Sequence, residues 1–309
     1  MAGPIWVVEH DDPDAAILVP STTTRVFRLG LPYDRYTFHY ISPTSWQLSD
    51  GTTELESSDF LDAPYVWYRR WKVAPPFPVV SVGIEWDVDA RRFVERTWEA
   101  ALVGALQAAC AAAPDRWSRP PGRVDSKIET FRHLDGLGLL PPTVLGLACP
   151  DQADVPWVWK PLDVDQSVGG GRAAAFDVAP ATSPTREPCP GIYQQRIEAV
   201  TELRVAYVFG EVAAVSAQEI APTDFADKRF VDMTRAVYST RALEASACRV
   251  AALTGLNMYT ADILVDAAGR LWWIDVNPDG MFCAADSPDR HLLNLVQQRL
   301  RNLEKPDES

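Results

Sequence analysis

The chain has 309 residues, 47% hydrophobic and 23% charged, the mix of an ordinary globular protein with core enough for two or three domains. Its 29 Lys and Arg against 42 Asp and Glu give a formal charge of −13, which argues against a non-specific nucleic-acid binder, because phosphate neutralisation needs clustered basic residues. Five scattered cysteines without a C-x-x-C pair argue against a zinc site or a disulfide framework. The start lacks a basic segment followed by an apolar run, and no stretch approaches the roughly 18 apolar residues of a membrane span, so the expected location is the cytoplasm, with no membrane partner.

Residues 1–80 alternate short apolar runs with turn residues, a strand-rich pattern. Ile5–Val8, Arg25–Leu29, Tyr36–Ile41 and Tyr65–Tyr68 are the expected strands, the last one buried. From Ala90 to Ala113 the positions Phe93, Val94, Trp98, Ala101, Leu102, Ala105 and Leu106 recur at helical spacing, and Pro114 stops the helix. The Pro-rich Asp115–Gly122 reads as a boundary. A second helix is expected from Asp125 to Leu137, with Gly136 and Gly138 at its end. Extended segments follow at Pro141–Leu145 and Pro156–Pro161. Beyond a second Pro-rich stretch come a pair of strands, Ile192–Ile197 and Leu203–Phe209, with a hairpin expected at Gly210. The chain closes with a helix over 240–254, a hairpin of Tyr259–Val265 and Leu271–Val276, and a helix from Arg290 to Leu303.

The last hairpin carries the most chemistry. Asp275 and Asn277 are two apart on an apolar strand and so share a face, and the hairpin brings Asp262 alongside from the partner strand. Two carboxylates and an amide oxygen suit magnesium that keeps waters and takes its other ligands from phosphates. From these residues alone, an acidic hairpin facing solvent is an equal reading. Upstream, Lys160 ends the run Trp-Val-Trp, and Gly169-Gly-Gly-Arg172 follows within a few residues. Glycines admit backbone N–H groups to an anion and a lysine adds a point charge, although no Walker-type loop is present. Tyr68-Arg-Arg-Trp71 is either an anion or peptide contact or a strand cap. The four histidines show neither metal nor triad spacing, and Trp6, Trp67, Trp71, Trp157 and Trp159 are expected in the core.

In order along the chain, Lys127, Trp157–Pro161 with Lys160, the glycine loop, Tyr193-Gln-Gln-Arg-Ile197, Glu202-Leu-Arg204, Asp262 and Ile274-Asp-Val-Asn-Pro278 resemble the ATP-grasp superfamily. Val66-Trp-Tyr-Arg-Arg70 and Asn277-Pro-Asp-Gly280 make the chain most similar to the microviridin-type, or graspetide, ligases of ribosomally made peptides and to the ligases that add glutamate to a ribosomal protein.

The resemblance implies an α/β (α+β) ATP-grasp fold. Residues 1–115 would form an N-terminal α/β domain on the peptide side, 116–191 a central lobe, and 192–309 a C-terminal lobe with the metal site, the two lobes clasping ATP. It implies that Lys127 and Lys160 contact the phosphates and that Gly169, Gly170, Gly171 and Arg172 close over them. Gln194, Gln195, Arg196 and Ile197 would read adenine, Glu202 would bind ribose, and Arg204 would neutralise the transferring phosphoryl group. Asp262, Asp275 and Asn277 would hold one or two Mg2+ ions. The implied activity is a carboxylate–amine or carboxylate–hydroxyl ligase working through an acyl phosphate. Its partners would be ATP and a precursor peptide or amino acid, with a homo-oligomer possible. A ligase of free small molecules and a non-catalytic peptide carrier are the alternatives. The substrate motif Asp-Trp-Arg of the peptide-modifying enzymes has two candidates here, Asp227-Lys-Arg229 and Asp232-Met-Thr-Arg235, and Gln194-Gln195 stands where Gln-Glu is more usual.

Overall fold

The computed structural model describes residues 2–10, 12, 15, 17–18, 21–42, 44–69, 88–122, 127–150, 156–162, 167–168, 171–172, 176–178, 190–220, 234–235, 241–279 and 291–305. The N-terminal part comprises β1 (Ile5–Glu9), β2 (Arg25–Leu29), β3 (Thr37–Ser42), β4 (Ser45–Ser49), β5 (Glu54–Glu56), the short α1 (Asp59–Asp62) and β6 (Val66–Arg69). Strand β1 runs parallel to β2 and β6 and lies between them. Every residue of β1 and β6 is buried, which is why both read as continuous apolar runs rather than alternating ones. A separate antiparallel meander, β3–β4–β5, includes two strands the sequence reading passed over. In β4 only Trp46 and Leu48 turn inward, a period of two that five residues barely display.

Helix α2 (Val88–Ala112) covers this part, burying Leu102, Ala105, Leu106, Ala109 and Cys110 at three- and four-residue intervals. Pro114 ends it in a 3-10 turn. The chain then becomes a strut rather than a loose linker. Trp117 stacks on Phe60 with ring centroids 5.3 Å apart. The Ser118 N–H donates to Val66 O at 2.9 Å, and its hydroxyl accepts from Tyr68 N–H (2.9 Å) and donates to Tyr68 O (3.0 Å). Its own carbonyl accepts from the N–H groups of Asn257 (2.8 Å) and Met258 (3.0 Å), in the C-terminal half. Replacing Ser118 by Ala removes both hydroxyl bonds from a buried site and is expected to cost about 2–3 kcal/mol, read as a shift in the urea midpoint at unchanged slope.

The remainder runs α3 (Lys127–Gly136), β7 (Thr143–Gly146), β8 (Trp157–Pro161), β9 (Ser167–Val168), β10 (Gly171–Arg172), β11 (Phe176–Val178) and β12 (Gly191–Gln195). It continues with β13 (Ala199–Val208), β14 (Glu211–Glu219), β15 (Thr234–Arg235), α4 (Arg241–Thr254), β16 (Met258–Asp266), β17 (Leu271–Asn277) and α5 (His291–Leu303). One antiparallel sheet has the order β11–β8–β12–β7, the other β15–β14–β13–β16–β17. The segments expected as a pair of strands, β12 and β13, therefore lie in different sheets: β12 pairs with β7 and β8, and β13 with β14 and β16. The hairpin expected at Gly210 is present, with φ of 42° at Phe209 and 96° at Gly210, and two residues at positive φ form the turn that matches strand twist.

The five-stranded sheet is covered on one face by α3 and α4, through Phe131, Leu134, Leu243, Ala247 and Val250 against Leu203, Val205, Ile263 and Trp273. On its other face Ala206, Val208 and Met258 pack with Leu293, Val296 and Leu300 of α5 and with Trp6 and Trp67 of the N-terminal part, so the two halves share a core. Further along that second face, the alternate residues of β13 and β16 become polar, and there the site begins.

Candidate functional site

Strands β13, β16 and β17 place the expected residues side by side. Arg204 lies directly opposite Asp262, and Asp262 directly opposite Asp275; residues paired this way in an antiparallel ladder present their side chains to one face. The Arg204 Nε is 3.1 Å from Asp262 Oδ1, and Lys127 Nζ, from the first residue of α3, is 3.7 Å from Asp275 Oδ1. Asn277 lies opposite Thr260, one step further along. Glu202 occupies the same face of β13 as Arg204.

A bulge makes this grouping possible. Ile263 faces Trp273 while Asp262 faces Asp275, so Ile274 is an extra residue with no counterpart on β16. Before it the odd-numbered residues Leu271 and Trp273 enter the core; after it Val276 does, which turns Asp275 and Asn277 to the site. The bulge also frees the Ile274 carbonyl from the ladder, and Lys160 Nζ donates to it at 2.9 Å.

Lys160 reaches across from the four-stranded sheet. Its second partner is the side chain of Gln194, whose Oε1 accepts at 2.9 Å and whose Nε2 donates to Thr143 Oγ1 at 3.3 Å. Gln194 thus holds Lys160 in place. Burial pulls the Lys160 ammonium down to about 8, opposed by Asp275 and reinforced by Lys127. Burial likewise pushes the Asp262 carboxyl up, with Arg204 the main group holding it back. Each ion is held against its desolvation by its neighbours. Lys160→Met takes the donor from Gln194 Oε1 and the Ile274 carbonyl and is expected to cost about 1–3 kcal/mol of stability, with ADP affinity falling at least about tenfold; thermal unfolding and ADP titration read the two effects.

Other expected residues stand as follows. Gly171 and Arg172 form β10, paired with β9, and Gly169 and Gly170 between them lie outside the described residues. The Gln195 and Arg196 N–H groups are used by Pro142 O (2.8 Å) and Pro156 O (2.9 Å), so a base read by this segment would meet its other groups. Ile197 is part-exposed in the connection from β12 to β13. Of the two substrate-motif candidates, Asp227–Arg229 and Asp232 lie outside the described residues, and Arg235 pairs with Ser216 in the backbone ladder. Arg69 is not a surface anion contact: it is 1% exposed and ion-paired to Asp12 at 2.8 Å. Trp6, Trp67, Trp157 and Trp159 are buried as expected, and Trp71 lies outside the described residues. Cys110 and Cys149 are buried and Cys248 is exposed, none of them in a disulfide. No helix among the described residues is long and apolar enough to cross a membrane.

The donor set fits magnesium shared with phosphates. Among the described residues no group of three or more His, Cys, Asp or Glu could hold a metal alone. A cation here would rest on Asp262, Asp275, the Asn277 amide and ligands from outside the chain, which is the habit of Mg2+. Thr260 Oγ1, opposite Asn277, is buried without a hydrogen-bond partner among the described residues, a polar atom left over at the site. Sequence reading missed Thr260, although it stands two residues before Asp262 on the same face.

No family model and no curated protein matches the sequence. Solved structures match over almost its whole length. One is the macrocyclase MdnC from Microcystis aeruginosa MRC, bound with precursor peptide MdnA (18% identity, TM-score 0.70, 98% of this chain and 100% of that one). Another is a RiPP-associated ATP-grasp ligase from Chryseobacterium gregarium in complex with ADP and a leader and core peptide (18%, 0.70, 99% and 98%). A third is the ATP-grasp ligase PsnB with a phosphomimetic variant of a minimal precursor, Mg and ADP (15%, 0.70, 97% and 98%). With 97–99% of this chain covered in these three matches at a TM-score of 0.70, the chain has the ATP-grasp fold.

Proposed function

We propose that this chain is an ATP- and magnesium-dependent ligase that activates a carboxylate as an acyl phosphate and joins it to an amine or hydroxyl, acting on side chains of a ribosomal precursor peptide. One observation carries the reading: Lys127, Lys160 and Arg204 converge with Asp262 and Asp275 where the two sheets meet. Three cations suit phosphate oxygens and two carboxylates suit the accompanying metal, whereas neither group alone accounts for the other. The peptide substrate is supported by the three similar structures, which hold precursor or leader and core peptides. Residues 1–115 are the proposed peptide-side domain, and 116–191 and 192–309 the two lobes.

The chemistry needs no protein nucleophile. A substrate carboxylate oxygen attacks the terminal phosphorus of ATP, the bond to the bridging oxygen breaks, and ADP leaves. The amine or hydroxyl then attacks the acyl carbon and loses a proton as phosphate departs. Bound magnesium would neutralise charge on the phosphates. Lys160, fixed by Gln194 and Ile274, and Lys127 orient the phosphate chain. Arg204, on a strand paired on both sides, stabilises charge on the moving phosphoryl group.

The test is ADP release and product mass with peptides that carry Asp or Glu beside Lys, Ser or Thr, compared with free amino acids. Loss of one water per bond within a peptide, coupled to ADP release, supports the reading. Turnover only with free amino acids moves the substrate to small molecules, and magnesium-dependent nucleotide binding without turnover on either class overturns the ligase.

A further inference from the structure

The turn after β17 is tied to the N-terminal half by an ion pair that the roles assigned above leave unused. Arg119 follows the Trp117–Ser118 strut, so its backbone is fixed by the bonds Ser118 makes to β6 and to the start of β16. Its side chain is 5% exposed, with the guanidinium carbon 5.6 Å from the centroid of the Tyr68 ring. Its Nη1 donates to Asp279 Oδ2 at 2.8 Å. Asp279 in turn donates its backbone N–H to Asn277 Oδ1 at 3.0 Å. A guanidinium this deeply buried is costly to separate from a carboxylate oxygen 2.8 Å away, which keeps the Asp279 side chain in place.

We propose that Arg119 is a positioning residue for the metal-binding turn: through Asp279 it fixes which way the Asn277 amide oxygen points, and so sets magnesium affinity from the N-terminal side of the molecule. The inference rests on the magnesium–nucleotide reading above. Two hydrogen bonds in series connect the Arg119 guanidinium to the amide. The Asn277 oxygen has two lone pairs, one used by the Asp279 N–H and one left for a cation. Groups that orient metal ligands are worth about 10–100-fold in metal affinity. The same linkage ties the junction between the halves to the proposed metal site.

The experiment is ADP binding to the full chain over a range of Mg2+ concentrations, for the wild type, Arg119→Ala, Arg119→Lys, Asp279→Asn and the double variant Arg119→Ala/Asp279→Asn. The expected result is a Mg2+ midpoint raised about tenfold in Arg119→Ala and Asp279→Asn, less in Arg119→Lys, and no further in the double variant, with ADP affinity in EDTA within about twofold of wild type. Asp279→Asn changes a part-exposed side chain to a near-isostere, so it carries the test if Arg119→Ala fails to fold. An unchanged midpoint in the folded variants, or equal weakening with and without Mg2+, overturns the positioning role while leaving the ligase reading in place. A wild type whose ADP binding ignores Mg2+ overturns both.

Discussion

Replacing Arg204 by alanine is expected to lower turnover about 10³-fold while moving ADP affinity by only a few-fold. The side chain is 17% exposed and its Nε sits 3.1 Å from Asp262, on a strand held by ladders to β14 and β16. A guanidinium fixed in this way costs little reorganisation as charge develops on a transferring phosphoryl group, which is where preorganised donors act most strongly. ADP lacks that group, hence the small effect on its binding. Arg204→Lys should recover only part of the loss, because an ammonium does not reproduce the planar fork. The variant also removes the main cation holding the Asp262 carboxyl down, so that carboxyl rises further above its ordinary range. Steady-state ADP release beside ADP titration separates the two effects.

Asp275→Ala should abolish the magnesium dependence of nucleotide binding and cut turnover by about 10²-fold or more. Asp275 is the group where the two halves of the site's electrostatics meet. It faces Asp262 across the ladder, has Lys127 3.7 Å away, and is the strongest charge favouring the Lys160 ammonium. Without it Lys127, Lys160 and Arg204 face Asp262 and Glu202, and the phosphate oxygens of a bound nucleotide would balance the rest of their charge. ADP affinity without Mg2+ is therefore expected to hold or rise, while the Mg2+-dependent gain disappears. At 32% side-chain exposure the residue contributes little packing, and unfolding should shift by no more than about 1 kcal/mol. ADP titrations in EDTA and in Mg2+ decide the matter.

Much of this arrangement is legible in the sequence. The same-face logic for Asp275 and Asn277 holds, and so does the partnership with Asp262 across the hairpin, since a period of two and a short turn leave few alternatives. The helices over 88–112 and 241–254 follow directly from apolar spacing bounded by Pro114 and Gly255. What stays hidden depends on contacts remote in sequence. Nothing local in Trp-Trp-Ile-Asp announces a bulge at Ile274, because a bulge is a property of two strands; yet it turns Asp275 to the site and offers Lys160 its carbonyl. Gln194, expected to serve a nucleotide base, holds Lys160 from the neighbouring strand. The Arg119–Asp279 pair joins residues 160 apart in the chain, brought together by the strut between the halves.

The central claim, that a carboxylate is activated by phosphorylation, has one direct measurement. A peptide substrate labelled with 18O in its side-chain carboxyl groups is turned over with unlabelled ATP, and the released phosphate is examined by mass. Transfer of one 18O to inorganic phosphate for each bond formed is the predicted result, because the attacking carboxylate oxygen leaves with the phosphoryl group. Unlabelled phosphate released alongside bond formation would contradict the acyl-phosphate route and the roles assigned to Lys160 and Arg204 within it.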